Sequence, residues 1–160
     1  MCSSDLWVVV VSVIVWSDKP HILHSYELLF SANLGDVSAA RYALAFATVM
    51  VSVAAAAVVV VCLWRLFGTY LAGRVFSVDA AVWLRRSGLA GIAAVIVDML
   101  VRVVVACILV GQFVPIPSHG YYYYALPQDL LHAIFAIFVF ALAYIFKAAA
   151  EMAEDQAQIV

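Results

Sequence analysis

"YALAFATVMVSVAAAAVVVVCLW", residues Tyr42–Trp64, runs without a single charged side chain. At about 1.5 Å per residue, a helix of this length crosses the roughly 30 Å hydrocarbon core of a bilayer with room for tilt. In water its many valines would favour a strand, but backbone groups in lipid must be satisfied within their own segment. The stretch therefore predicts a transmembrane helix.

The composition of the whole chain supports the same conclusion. Hydrophobic residues make up 68% of the 160 residues and charged residues only 11%. Soluble domains carry about a quarter charged residues, so this chain has too few charges to cover a surface that faces water. We predict an all-α integral membrane protein with a single membrane domain, residues 1–160.

Three other stretches complete the predicted helical bundle. Residues 89–113 and 130–146 have the length and apolarity of full spans. Residues 6–16, "LWVVVVSVIVW", are too few to cross alone, and they predict a short first span. A helix that lies in the membrane or re-enters it is the alternative for this segment. The predicted fold thus has four helices, three of them full transmembrane helices.

The basic residues predict the orientation of the spans. The loop between the two long spans, residues 65–88, holds four of the eight Lys and Arg residues, namely Arg65, Arg74, Arg85 and Arg86. Basic residues in short loops remain on the cytoplasmic side. This loop and the C-terminal tail, residues 147–160, are therefore predicted to be cytoplasmic.

The same loop contains signals for a short interfacial helix. Gly73 can end the extension of the preceding span, since glycine tolerates the left-handed conformation of a helix cap. Ser77 can cap a new helix, which Asp79 favours from its first turn. Arg85 and Arg86 would then lie at the level of lipid phosphates. An ordinary basic loop that only sets topology accounts for the arginines equally well.

Two opposite charges lie near the middle of the third span. Asp98 precedes Arg102 by four residues, so both side chains share one helical face in the favourable order for an ion pair. The same face carries Gly88, Gly91 and Ala94, small residues that let helices approach closely. The pair is therefore predicted to point into the bundle, away from lipid.

Hydroxyl groups on the second span are candidate partners for this pair. Ser52 lies near mid-depth on a stripe of small residues, with Thr48 one turn before it. We predict that Ser52, together with Thr48, hydrogen-bonds Asp98 and Arg102. The pair has three interpretations: a structural pair that fixes helix register, a sensor of a ligand or partner, and a transport site. A transport site usually needs further ionisable groups along the spans, which favours the structural interpretation.

The loop after the first segment offers weak candidates for a metal site. His21, His24 and Glu27 are three residues apart and partly share one face of a predicted helix over residues 21–31. Imidazole and carboxylate groups are ligands of transition metals. Histidines at a wet membrane boundary have the same appearance, and no diagnostic spacing is present. The sequence therefore predicts neither a metal nor another cofactor.

The cytoplasmic loop "LFGTYLAGRVFSVDAAVWLRRSG", residues 66–88, and the ending "IFKAAAEMAEDQAQIV", residues 145–160, resemble the bacterial DUF2975 family of four-span membrane proteins. The resemblance covers mainly residues 63–160. The chain departs from the family pattern before residue 42, where a full first span is expected, and in its last residues. The matching loop positions are Gly73, Phe76, Ser77, Leu84, Arg85 and Gly88.

The resemblance implies a small protein of the bacterial inner membrane, of a kind often encoded beside a helix-turn-helix regulator. The chain has no nucleophile with a base at a credible spacing and no glycine-rich phosphate loop, so no enzyme is predicted. A net charge of −2 argues against direct nucleic-acid binding. We expect lipid contact and a non-enzymatic role in binding a protein partner, as a regulator or scaffold. The alternatives are an accessory subunit of a respiratory or photosynthetic complex and a small proton- or ion-coupled transporter.

Overall fold

The protein is helical wherever the structure gives regular elements. The structure, a computed structural model, describes residue 10 and residues 13–30, 34–35, 37–73, 77–111 and 127–158. No strand occurs among these residues, and residues 13–17 form a short helical segment. Four longer helices follow: α1, Lys19–Phe30; α2, Ala39–Leu71; α3, Val78–Val110; and α4, Pro127–Gln158.

Three helices have the length and apolarity needed to span a membrane: α2, α3, and α4 as far as Met152. The predicted all-α membrane fold with three full spans is confirmed. Helices α2 and α4 continue beyond both ends of their predicted spans, because hydropathy detects the apolar stretch and the helix ends are set by caps. Helix α3 begins before its predicted span of residues 89–113 but ends short of it, at Val110, where Gly111 has a φ of +79°. The predicted interfacial helix is consequently the first part of α3 and is continuous with the span. The predicted first span, residues 6–16, lies mostly outside the described residues.

The predicted cap signals around the loop between α2 and α3 act as expected. Gly73 has a φ of +74°, and its amide donates to the carbonyl of Tyr70 at 2.9 Å. This left-handed residue follows the last turn of α2 and ends that helix. The Ser77 hydroxyl oxygen accepts a hydrogen bond from the amide of Ala80 at 3.2 Å and caps α3. Phe76 lies outside the described residues.

Helix α1 begins close to its predicted start. The Asp18 carboxylate accepts a hydrogen bond from the amide of His21 at 3.3 Å, and the Asp18 carbonyl accepts one from the amide of Ile22. Asp18 is therefore the N-cap, and Pro20 occupies the first turn, where its missing N–H has no cost. The helix covers Lys19–Phe30, against the predicted residues 21–31.

The chain divides into two compact units. The first consists of Met1–Ala54 and Ile96–Pro127. Its core brings together α1, the beginning of α2 and the end of α3, and Tyr42 and Phe46 pack against it. The buried residues of this core are Trp16, Ile22, Leu23, Leu34, Val37, Ala45, Val101, Val105 and Leu109.

The second unit consists of Ala55–Val95 and Gln128–Val160. Its core joins the end of α2, the beginning of α3 and the middle of α4 through four buried side chains, those of Leu66, Ala80, Leu84 and Ala143. The glycines of α3 permit a close approach of α4, as predicted. A Cβ at Gly88 would lie 2.7 Å from backbone atoms of Phe140, and one at Gly91 would lie 3.0 Å from the Ala136 Cβ.

Candidate functional site: a polar cluster within the spans

The candidate site is an ion pair on one face of α3. Arg102 donates from Nη2 to Oδ2 of Asp98, one helical turn earlier. The Arg102 side chain is 17% exposed and that of Asp98 is 36% exposed, so both are partly covered by the protein. The predicted pairing is confirmed. Since a lone charge at mid-span costs about 3 kcal/mol on insertion scales, each ion removes much of the other's cost.

A hydroxyl on α2 completes the cluster. The Ser52 Oγ donates a hydrogen bond of 2.5 Å to Oδ1 of Asp98. The two carboxylate oxygens of Asp98 are thus bound from two helices, one by Ser52 and the other by Arg102. This arrangement links α2 to α3 at a fixed register. Among the described residues, no buried side-chain nitrogen or oxygen lacks a hydrogen-bond partner.

Thr48 does not join the cluster, and this part of the prediction is wrong. Its hydroxyl donates to the carbonyl of Leu44 in its own helix at 2.8 Å. Threonine in a helix can satisfy its hydroxyl at the carbonyl four residues earlier. A position on the right face was therefore insufficient to place Thr48 beside Asp98.

The arginines of the loop motif have different surroundings. The Arg86 guanidinium lies over the ring of Trp83 at 4.8 Å, and that of Arg65 approaches the same ring at 5.9 Å. Arg85, the neighbour of Arg86, instead lines a groove between α3 and α4. The two adjacent arginines of the motif thus have different neighbours. Arg86 lies over an aromatic ring, and Arg85 lies beside α4.

A family model described as "Protein of unknown function (DUF2975)" matches residues 11–160. The chain belongs to the DUF2975 family. The match is broader than the motifs alone indicated, because it includes the segment before residue 42. No curated protein and no solved structure gave a significant match.

The histidines and the glutamate on α1 do not form a metal site in the described part of this DUF2975 protein. No group of three or more His, Cys, Asp or Glu residues there could hold a metal ion. His24 Nδ1 lies 3.9 Å from Glu27, and His21 is exposed. Glu27 accepts a hydrogen bond from the amide of Leu34 at 2.9 Å, so its carboxylate supports the turn after α1.

A second set of contacts was not anticipated from the sequence of this DUF2975 protein. The Tyr42 hydroxyl donates to the carbonyl of Trp16 at 2.6 Å. The Lys19 ammonium donates to the carbonyl of Val37 at 3.1 Å and lies 5.6 Å from the centre of the Tyr42 ring. The first bond ties the segment before α1 to the start of α2, and the second ties the start of α1 to the residues just before α2. The sequence indicated only that Tyr42 and Lys19 are amphipathic side chains near a membrane boundary, and this does not identify their partners.

The hydroxyls of Ser52 and Thr48 on α2 provide a matched test of the cluster. Ser52→Ala removes the bond to Asp98, and we expect a loss of about 1 kcal/mol in the free energy of unfolding, typical of interhelical hydrogen bonds in membranes. Thr48→Val removes a bond within one helix and should cost less than half as much. Unfolding titrations of both variants in the same mixed micelles measure the difference. Equal losses would contradict a link through Ser52.

Proposed function

We propose that this DUF2975 protein is a non-enzymatic interaction protein of the bacterial cytoplasmic membrane that holds a protein partner. The proposed contact surface lies at one end of the spans, where α2 ends, α3 begins and α4 leaves its apolar stretch. We call this the basic end, after Arg65, Arg85, Arg86 and Lys147. A regulator or a scaffold would use the surface in the same way.

The observation that carries the proposal is the extension of α4. The apolar stretch ends at Phe146, yet the helix continues to Gln158, about 18 Å further at 1.5 Å per residue. Glu151, Glu154 and Asp155 recur in this extension at spacings of three and four residues, which places these positions on one helical face. A helical extension with an acidic face suits the docking of a soluble, basic partner.

Packing at the basic end supports the proposal. Leu66, Leu84 and Ala143 are buried together, so α2 and α3 remain packed outside their apolar stretches, against the last turns of the apolar stretch of α4. A loop that served only to connect two spans would need no such core. The packed helices give a partner a rigid surface.

The location in a bacterial cytoplasmic membrane is also part of the proposal. Three membrane-span-length helices and the family support it, and the basic residues at this end favour a cytoplasmic position. The α4 extension would then lie in the cytoplasm, where a soluble regulator is found.

The polar cluster gives less support to transport. Asp98 has a partner at each carboxylate oxygen. The apolar stretches of α2, α3 and α4, residues 42–64, 89–113 and 130–146, contain no other carboxylate and no lysine. Proton or ion paths usually need several such groups. A structural pair remains the interpretation that best fits these contacts.

One observation favours the accessory-subunit alternative. The most apolar part of α2 contains no buried residue in the described protein. Lipid can cover this surface, and so can the helices of a larger respiratory or photosynthetic complex. The two functions differ in the region that contacts the partner: the α4 extension in an interaction protein, and the apolar surface of α2 in an accessory subunit.

We expect a soluble partner to accompany the full chain out of native membranes in mild detergent, and to be lost when residues 151–160 are deleted. Replacing Glu151 and Glu154 by glutamine and Asp155 by asparagine should cause the same loss, because the helix remains but its charge does not. Met152→Gln is the matched control, since it changes an exposed neighbour and leaves the carboxylates. Mass spectrometry of the purified material measures partner occupancy.

Two results would overturn the proposal. If the neutral variant retained as much partner as the wild type, the acidic face would not be the contact. If the chain stayed with a large membrane complex whatever its tail, the accessory-subunit function would replace the one proposed.

A further inference from the structure

A groove between α3 and α4 combines apolar walls with two cations. The groove lies in the second unit and has a volume of about 180 Å³. Val78, Val82 and Tyr144 contribute apolar surface, together with two alanines, and both charged residues that line it, Arg85 and Lys147, are basic. A ligand for this groove should therefore be an anion with an apolar part.

The two cations are available to such a ligand. Among the described residues, Arg85 has no ion-pair partner, whereas its neighbour Arg86 lies over Trp83. Lys147 lies 3.5 Å from Glu151, but the two side chains are 62% and 58% exposed, and ion pairs at this exposure contribute little. Neither cation is held so firmly that a phosphate could not bind it.

The groove lies where the apolar stretches of α3 and α4 end, the level at which membrane phosphates are expected. Lys147 is the first charged residue after the apolar stretch of α4, and Arg85 lies one turn before Leu89, where the apolar stretch of α3 begins. The close contact of Gly88 with Phe140 sets an antiparallel register that brings both cations to the same end of their spans. Basic pockets between helices at this depth suit acidic headgroups.

We propose that the groove binds an anionic phospholipid. Its phosphate lies between the guanidinium of Arg85 and the ammonium of Lys147, and the start of an acyl chain passes Tyr144 toward the apolar stretch of α4. Arginine suits this position because its planar donors bind two phosphate oxygens at once. The cavity accommodates the headgroup phosphate, and the chains continue along the surface of α4. The proposal does not depend on a protein partner.

The test uses the full chain in nanodiscs that contain phosphatidylcholine with a minor fraction of phosphatidylglycerol. We expect the protein to retain phosphatidylglycerol preferentially, as measured by native mass spectrometry after release from the disc. Arg85→Gln and Lys147→Gln should each lower this preference about fivefold, the effect of one basic residue at a membrane surface. Arg86→Gln, which removes the same charge one residue away but outside the groove, should lower the preference clearly less.

Several results would overturn the proposal. Equal losses for Arg85→Gln and Arg86→Gln would indicate general attraction to a basic surface. Displacement of phosphatidylglycerol by inorganic phosphate at similar concentration would assign the site to a free anion. No preference in the wild type would exclude a lipid site. Arg85 and Lys147 are both exposed, so far-UV circular dichroism should show both variants folded, and either one alone suffices for the comparison.

Discussion

Replacing Asp98 alone by leucine destabilises the protein more than replacing Asp98 and Arg102 together. The single change removes the Asp98 carboxylate that pairs with Arg102 inside a span, where an uncompensated charge costs up to about 3 kcal/mol on insertion scales. The double change to leucine removes both charges, and buried pairs replaced by apolar residues often lose little stability. We expect the double variant to lie within about 1 kcal/mol of the wild type.

The comparison is made by unfolding titration in mixed micelles, with two further variants. Asp98→Asn keeps the size of the side chain and an acceptor for Ser52. The stability that this variant loses therefore reports the effect of the charge alone. Exchange of the two residues, Asp98→Arg with Arg102→Asp, restores a pair in the less favourable order and should recover part of the stability. If the double leucine variant were the least stable of all, the pair would contribute net stability and the cost of a lone charge would be secondary.

The sequence alone was sufficient to predict the pair because the physics is local. A spacing of four residues places Asp98 and Arg102 on one face of any helix, and lipid penalises either charge alone. Ser52 was predictable for a similar reason, since a small polar residue near mid-depth needs a partner. Thr48 was not, because a helical hydroxyl can also bond the carbonyl four residues earlier, and the sequence does not show that Thr48 takes this acceptor while Ser52 takes Asp98.

Contacts that depend on how the chain returns on itself were not predictable. Glu27 was a metal-ligand candidate by residue type, but it binds the amide of Leu34, seven residues later, in a turn whose path no periodicity fixes. Lys19 reaches the carbonyl of Val37 in the same way. The groove at Arg85 and Lys147 depends on the register of α3 against α4, which follows from one close contact at Gly88.

That contact leads to the second large effect: Gly88→Ala should be among the most destabilising single-methyl additions in this protein. The new Cβ would lie 2.7 Å from the amide nitrogen, Cα and Cβ of Phe140. No rotamer of Phe140 relieves a clash with its own backbone, so α3 and α4 must move apart. Overpacking usually costs about 1–3 kcal/mol, and a backbone contact should give the upper end of that range.

The other helical glycines provide the controls. Gly68→Ala meets nothing within 4 Å and should stabilise α2 by up to about 1 kcal/mol, the difference in helix propensity. Gly91→Ala meets the Ala136 Cβ at 3.0 Å and the Ala136 Cα at 3.8 Å, a milder clash than at Gly88, so a small shift of the helices should leave its stability between the other two. Unfolding titrations should show Gly68→Ala as the most stable of the three variants, Gly91→Ala as intermediate and Gly88→Ala as the least stable. Phe140→Ala added to Gly88→Ala should restore nothing, because the nitrogen, Cα and Cβ remain. Recovery in that double variant would show that the aromatic ring, and not the backbone, limits the approach of the helices.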